Sequence, residues 1–592
     1  MTVSDYIINT LEKQKIKEVF LVTGGAIAFL VDALHNRKNI RYICMQHEQS
    51  AAMAAEAYSR LGPGLGVAMA TSGPGATNLI TGICCAWFDS IPTLYITGQV
   101  NTNEQIGDRK VRQIGFQEAN IVDIVKPITK FSEKLENAED IGYLMDKAIK
   151  IAKSGRPGPV LLDIPVNLQY ATYEKNYFRK YQLSKVPQKI NLEIKIKEII
   201  NLVSHSKRPI LLLGFGIHLA KAENELIKLV NSLKIPIITT WSGLDLIPFN
   251  NPLRVGQSGI YGDRAANFAV QNCDLLLSIG ARLDTRNTGD PKHYARGAKK
   301  IIVDIDPAEI NKNRGLQADI GLAIDAKEFL TKLISFSKKI ELQDIRPWLK
   351  IIKDWKYKYP TYKQQSSKNK KNVNAYAFGY VLSQHLSKEA VVIPDIGSNS
   401  AWTIQGIRLK KGQRFFSAFG NAPMGYALPA SIGASMALKN TKPVICIIGD
   451  GGLQINIQEL QTIIHHKLPI KIFVLNNKCY GIIKQFQDTW LGSRYEASQK
   501  GYSTPDFIKV SKAYGFKTYT IRNDFELHRK IKQVLDYQGS VFCDVLINTN
   551  QKILPKVEFG LPIEDMTPYL KRSELIENMI VKPLSQSVNL KK

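Results

Sequence analysis

No apolar run in these 592 residues reaches the ~20 needed to cross a bilayer. The amino end does not read as a secretory signal either, because Val3, Tyr6, Ile7 and Leu11 fall on one helical face among acids and Lys. Cysteine is scarce: seven residues show no metal-ligand spacing, and the odd number fits reduced thiols in a cytoplasm better than a disulfide framework. The vicinal Cys84-Cys85 pair lies in an apolar segment and reads as packing. Acidic residues are in deficit, 52 against 79 Lys and Arg, for a formal net charge of +27. The cations are nevertheless dispersed, with no basic run interleaved with base-stacking aromatics, so the excess reads as a solvated surface rather than a nucleic-acid footprint. No fixed-period repeat or long low-complexity segment is present.

What is there begins with Asp450 and Asn477. Residues 443 to 448 form a short buried strand pattern, closed by Gly449-Asp450-Gly451-Gly452, where glycines let backbone approach a ligand. Leu453, Ile455, Ile457, Leu460, Ile463 and Ile464 give a helical face, residues 468 to 475 read as a second strand, and Asn476-Asn477 ends it, 27 positions after Asp450. Strand, helix, strand is the unit of a parallel sheet, whose ligands collect beyond the carboxyl ends of the strands. One carboxylate together with phosphate oxygens suits Mg2+, so the expected site is a Mg-bridged diphosphate. Taken singly, each motif is also an ordinary turn of an α/β protein. His465-His466, on the intervening helix, fits surface or packing roles better than catalysis.

Together, at this spacing, the two motifs resemble the thiamine diphosphate signature. The resemblance implies that Asp450, Asn477 and the carbonyl of Cys479 hold the metal, and that Gly449, Gly451, Gly452, Asn477, Tyr480, Gly481 and Ile482 line the diphosphate. A distant region corroborates it: residues 47 to 58 place Glu48 between a strand-like Tyr42–Met45 and an Ala-rich helix, and Thr71-Ser72-Gly73-Pro74-Gly75-Ala76-Thr77-Asn78 resembles the turn that follows the Glu helix in thiamine enzymes. In that family the Glu bonds the cofactor's aminopyrimidine ring. This assigns Glu48 to catalysis and Thr71, Gly73, Pro74 and Asn78 to cofactor binding.

The resemblance runs along nearly the whole chain and is greatest to the acetolactate synthase large-subunit family. Thr23-Gly24-Gly25-Ala26 resembles the glycine loop, with Gly25 near the reacting carbonyl. Phe116-Gln117-Glu118 resembles the segment that puts Gln117 in the substrate pocket, and Ala422 to Pro429 resembles the loop whose Met, here Met424, wedges beneath the cofactor. An unbranched apolar side chain fills such a gap without a competing hydrogen bond. Between these regions, Gly214-Phe215-Gly216 ends a strand pattern, and Ser278 to Asp284 with Val303 to Pro307 resemble the FAD-contacting strands of acetolactate synthases. Gly214, Gly216, Gly280, Arg282, Asp304 and Asp306 are the FAD residues so implied, with FAD structural rather than redox-active.

The chain departs from the family at Thr23, Leu283, Thr285, Gly397-Ser398-Asn399 (Gly-Gln-His is usual) and Gln485-Phe486-Gln487, where Trp usually shapes the acceptor pocket. Ser398 and Asn399 can still donate to phosphate oxygens. The segments Arg494-Tyr495, Thr504-Pro505-Asp506-Phe507 and Pro562 to Met566 resemble relatives linked to surface polysaccharides, some of which join an acyl unit to a keto-sugar nucleotide.

The expected fold is α/β, with three doubly wound parallel-sheet domains of the thiamine diphosphate-dependent decarboxylase/carboligase type: residues 1–180 (pyrimidine side), 190–345 (central) and 372–592 (diphosphate side with a tail). Polar, Lys-rich linkers are expected at about Tyr173–Glu193 and Trp355–Asn374, the latter including Ser367 to Lys371. The expected activity takes pyruvate or a related 2-oxo acid and transfers a two-carbon unit to a second 2-oxo acid. A keto-sugar acceptor and a catalytically silent cofactor-binding subunit are the alternatives. The family further implies a homodimer or homotetramer with active sites at the subunit interface, and raises a small regulatory subunit as an additional partner.

Overall fold

The computed structural model describes residues 1–174, 180–183, 191–337, 341–362 and 371–588. Of the expected second linker, residues 363–370 lie outside the described residues, as do 175–179 and 184–190 of the first.

Three six-stranded parallel sheets organise the chain. The first contains β1 (Glu18–Leu21), β2 (Arg41–Cys44), β3 (Gly66–Ala70), β4 (Thr93–Gln99), β5 (Phe131–Lys134) and β6 (Val160–Pro165), in the order β2-β1-β3-β4-β6-β5. The second contains β7 (Pro209–Leu213), β8 (Ile237–Thr239), β9 (Arg254–Gln257), β10 (Leu275–Ile279), β11 (Lys299–Asp304) and β12 (Ile320–Ala323), in the order β12-β11-β10-β7-β8-β9. The third contains β13 (Val391–Pro394), β14 (Arg414–Phe415), β15 (Val444–Gly449), β16 (Lys471–Asn476), β17 (Lys517–Ile521) and β18 (Val541–Leu546), in the order β14-β13-β15-β16-β18-β17. The first and third sheets therefore repeat one topology, and the middle one has a different one. Strands such as β3, β7 and β10 are buried along their whole length because helices cover both faces, which is why they read as unbroken apolar runs.

The winding reverses between β1 and β3, between β7 and β10, and between β13 and β15. The crevice beyond the carboxyl ends at such a point is where α/β sheets hold ligands. The turns leading from these strands begin with Val22, Thr71, Gly214, Gly280, Asp395 and Asp450.

Two expectations need amending. Trp355 does not begin a linker: the helix Arg346–Lys358 buries Trp348, Ile352 and Trp355 in the central core, and the Lys residues that made it look like linker lie on its other face. The helical face after Asp450 is broken into Asp450–Ile455 and Glu459–His465, with Ile455 46% exposed. The tail, for its part, packs on the central sheet. Val557, Ile563, Met566 and Leu575 join the central core. Arg264 donates to the carbonyls of Met566 (3.2 Å) and Pro568 (2.7 Å), and Asn267 to that of Ile563 (2.8 Å). These bonds satisfy polar groups on a helix, Arg264–Asn272, that is buried throughout.

Candidate functional site

On the first sheet, Glu48 opens the helix Glu48–Leu61, and the His47 ring caps it by accepting from Gln49 N (3.1 Å). The Glu48 carboxyl is buried and accepts a bond from Asn78 Nδ2 at 2.9 Å, so the 71–78 turn and the Glu48 helix meet directly. Thr71 Oγ1 accepts from Ala26 N at 3.2 Å, and a side chain on Gly24 would put its first carbon 2.5 Å from Thr71 Cβ. Gln117, at φ +63°, lies against the same turn: a side chain on Gly73 would meet its carbonyl at 2.9 Å. Gly25, Thr71, Gly73, Gln117, Glu48 and Asn78 thus share one surface. Pro74 is the first residue of the short helix Pro74–Asn78 on that turn, and Gly25 is exposed with open space before it. Phe116 is 85% exposed beside Gln117.

On the third sheet, Asp450 and Asn477 end the adjacent strands β15 and β16. Asp450 is buried and accepts from the backbone N–H of Gly451 (2.8 Å) and of Lys478 (2.6 Å); burial pushes its carboxyl up to about 6, against the pull of those donors. Asn477 Nδ2 donates to Cys479 Sγ at 3.2 Å, which leaves its oxygen as the ligand atom. Ser398 and Asn399 reach the same place from β13: a side chain on Gly481 would meet Asn477 Nδ2 at 2.7 Å and Ser398 Oγ at 2.8 Å, and one on Gly449 would meet Asn399 Nδ2 at 3.2 Å. Gly397 supplies the positive φ (+122°) from which the helix Ser398–Gly406 starts. The Tyr480 ring packs on Tyr502 (4.4 Å between centroids) beside Gly451, and half-buried Ile482 follows Gly481 on the helix Gly481–Trp490.

Ser398 Oγ and Asn399 Oδ1 are buried without a hydrogen-bond partner. At this glycine-lined crevice the orphaned Ser398 hydroxyl can donate to a phosphate oxygen, while Asn399 Oδ1 is an acceptor that suits a cation, its amide N–H donating to Ile396 O (3.1 Å). Among the described residues no group of three His, Cys, Asp or Glu side chains could hold a metal unaided. A cation here therefore needs oxygens from the bound diphosphate, the pattern Mg2+ favours.

Met424 is half-buried in the segment between β14 and the helix Ala427–Ala437. Sequence reading missed the groups that hold it: Asp395 accepts from Gly425 N and Ala427 N, both at 3.0 Å, and Asn456 Nδ2 donates to Gly425 O at 2.9 Å. An Asp just before a Gly-Ser-Asn turn was a usable signal, but nothing in the sequence linked it to residues thirty positions on. Gln485 and Gln487 turn inward, the first pairing with the tail at Ile553 (3.0 and 2.8 Å) and the second with Glu496 O (2.8 Å). Phe486 points out, 39% exposed, its ring 6.0 Å from that of Phe559 in the tail, and Phe559 also contacts Trp490 at 6.1 Å.

In the central sheet the turns of Gly214, Gly216 and Gly280 pack backbone to backbone, with Gly280 at φ +61°. They border a cavity of about 230 Å³ lined also by Phe215, Arg282, Asp304 and Arg156. Its cations are already engaged: Arg282 donates to Phe88 O (2.7 Å), and Arg156 bridges Asp306 (3.0 Å) and Glu309 (2.8 Å). Burial raises Asp304 above the usual carboxylate range. Gly214, Gly216, Gly280, Arg282 and Asp304 thus line one cleft, the place the expected flavin dinucleotide would take.

Comparison with known proteins matches all three sheets. Residues 1–124 match the thiamine pyrophosphate enzyme N-terminal TPP binding domain, 196–333 the central domain, and 395–545 the C-terminal TPP binding domain. The acetolactate synthase large subunit of Cyanidium caldarium is 36% identical over 97% of both chains. A probable acetolactate synthase large subunit of Methanocaldococcus jannaschii is 35% identical, covering 94% of this chain and 93% of its own. Acetolactate synthase isozyme 3 large subunit of Escherichia coli (strain K12) is 31% identical over 96% and 99%. With the three matches in chain order and the likeness spanning the whole length, the chain belongs to the thiamine pyrophosphate enzymes, those of the acetolactate synthase type.

Proposed function

We propose that the protein decarboxylates pyruvate, or a close 2-oxo acid, and transfers the two-carbon unit to a second 2-oxo acid. The observation that carries this reading is the meeting of Glu48 with Asn78 on one sheet, and of Asp450, Asn477 and the orphaned Ser398 Oγ and Asn399 Oδ1 on another, each at a winding reversal. Thiamine diphosphate, when bound, supplies the carbanion-stabilising chemistry. The chain does the rest. Glu48, oriented by Asn78, would bond the aminopyrimidine and exchange a proton with it. Asp450, Asn477 and the carbonyl of Cys479 would hold Mg2+, while Gly449, Gly451, Gly452, Ser398 and Asn399 would cradle the diphosphate. Met424 would pack against the cofactor, and Gly25 and Gln117 would face the substrate carbonyl beside Phe116. Domains at 1–180, 190–345 and 372–592 are part of this reading, as are a cytoplasmic setting and a homodimer or homotetramer with active sites between subunits. FAD would have a structural role in the central cleft; a flavin spectrum of the purified protein tests it.

A second reading, acyl transfer to a keto-sugar nucleotide, is favoured by Phe486, which leaves the acceptor side open where the family usually carries Trp. Purified protein with pyruvate, thiamine diphosphate and Mg2+, its products identified by mass spectrometry, separates the readings. Acetolactate supports the first; acetaldehyde alone directs attention to the sugar acceptor. No pyruvate turnover points to another donor or to a silent subunit, and removes the pyruvate reading.

A further inference from the structure

A methionine makes no hydrogen bonds strong enough to fix its own loop, so whatever holds Met424 must act on the backbone around it. Ala422 (φ +57°) and Gly425 (φ +85°) bracket Pro423-Met424 in the left-handed region, free for glycine but strained for Ala422, which persists there only because surrounding structure over-determines it. A side chain on Gly425 would meet Ile455 Cβ at 2.8 Å, so the chain here is also wedged from outside.

Several contacts hold the segment from the first sheet's domain. Asp89 accepts from Gly420 N (2.8 Å), Asn421 Nδ2 donates to Thr81 O (3.3 Å), and Tyr426 OH donates to Glu56 (2.5 Å). Within the third domain one carboxylate dominates. Asp395 is fully buried, is itself fixed by its N–H to Ile447 O (2.7 Å), and gives one oxygen to Gly425 N and the other to Ala427 N. The same carboxylate backs onto the metal-side turn: a side chain on Gly452 would collide with its Oδ2. Two residues further on, Gly397 opens the turn of Ser398 and Asn399. A single side chain thus touches the Met424 loop and the Asp450 turn and stands at the head of the Ser398 turn.

We propose that Asp395 is a positioning residue: it locks the Met424 loop to the diphosphate turn, so that the wedge and the phosphate cradle are in register before thiamine diphosphate arrives. The proposal rests on Met424 and the Gly449–Gly452 turn being cofactor surfaces, as read above. The physical reason is the number of acceptors. A carboxylate has two acceptor oxygens for two N–H groups, whereas an amide has one, so Asp395→Asn must turn an NH2 toward an N–H that it cannot satisfy.

The test is a double-mutant cycle on the full-length apoprotein, read as thiamine diphosphate affinity with Mg2+ by isothermal titration calorimetry, together with the melting temperature. Asp395→Asn and Met424→Ala are each expected to weaken binding about tenfold. In the double variant, Asp395→Asn is expected to add less than about twofold, because residues acting as one unit are non-additive. A merely structural Asp395 would lower the melting temperature and multiply its loss onto that of Met424→Ala; full additivity overturns the proposal. If Asp395→Asn does not fold, Asp395→Glu, which keeps both oxygens on a longer stem, is read in the same cycle by the same criterion. Met424→Ala binding as tightly as wild type would remove Met424 from the cofactor surface, and with it the proposal. Loss of binding in Asp450→Ala in that case would still leave the thiamine diphosphate reading standing.

Discussion

Replacing Asp245 by Asn should loosen the joint between the central and C-terminal sheets, and do so in a pH-dependent way. The Asp245 carboxylate is fully buried and accepts three bonds: from His218 Nε2 at 2.8 Å, from Arg414 Nε at 3.0 Å and from Phe415 N at 3.1 Å. His218 belongs to the turn after β7, whereas Arg414 and Phe415 form the edge strand β14, so this carboxylate ties two domains together. Burial alone would raise Asp245; the His218 charge and bond, with Arg414, hold it down to about 2. Burial alone would likewise lower His218, but Asp245 and Glu223 (2.7 Å from Nδ1) carry it above its ordinary value even with Arg414 opposing. Neutralising one partner of a buried pair costs about 3–5 kcal/mol, and the low end applies because Arg414 is 29% exposed. At about 2–4 °C per kcal/mol, the melting transition that includes the central sheet should fall by about 6–12 °C. The signs fix the pH window. The raised pKa of His218 means that its contribution is complete below its unfolded value near 6.5 and is lost as pH rises through the folded one. The depressed pKa of Asp245 means that its contribution is present above about 4 and is lost as pH falls toward 2. Calorimetry of wild type and Asp245→Asn from pH 3 to 9 should show the largest gap between about pH 4 and 6.5, narrowing toward either end. No gap at pH 6, or one that widens from pH 6 to 9, would refute the reasoning.

Three further outcomes are expected. Glu48→Gln keeps the shape that Asn78 binds but removes the exchangeable proton, so steady-state turnover should fall by about 10²–10⁴ while cofactor affinity by calorimetry stays within a few-fold; undiminished turnover would take Glu48 out of the reaction. Because burial sets Asp450 near 6, Mg2+ must compete with a proton there, and the Mg2+ needed for half-loading should rise about fivefold from pH 6 to 5. Asp450→Asn should abolish Mg-dependent loading altogether, and a variant that still loads would contradict the assignment. Phe559→Ala strips the ring that backs Phe486 and should change the acceptors used, read by product analysis, without slowing pyruvate decarboxylation; an unchanged product ratio would separate the tail from acceptor choice.

The elements were legible wherever local patterning and burial agree. Glycine turns at strand ends, the Glu48 helix start and the Asp450 to Asn477 unit could be read directly, because a buried parallel strand followed by a glycine turn leaves few other foldings. Trp355 shows the opposite case: its Lys-rich neighbours have the composition of a linker, and only packing against the central core makes them the outer face of a helix. The tail was illegible for a related reason. Val557, Ile563 and Met566 carry no periodic signal, and what orders them is a set of side-chain amides on Arg264–Asn272 nearly three hundred residues away.

By itself the sequence determined the three α/β units, the placing of Glu48 at a helix start and of Asp450 and Asn477 at neighbouring strand ends, and the family, because these depend on residue identity at short spacing. Only the tertiary structure decided that Asp395 grips Gly425 and Ala427, that Asp245 joins two domains through His218 and Arg414, and that Phe486 meets Phe559. The physical reason is range. Propensity and turn chemistry act within a few residues, whereas a buried carboxylate is satisfied by whichever donors the fold brings within about 3 Å, at any distance along the chain.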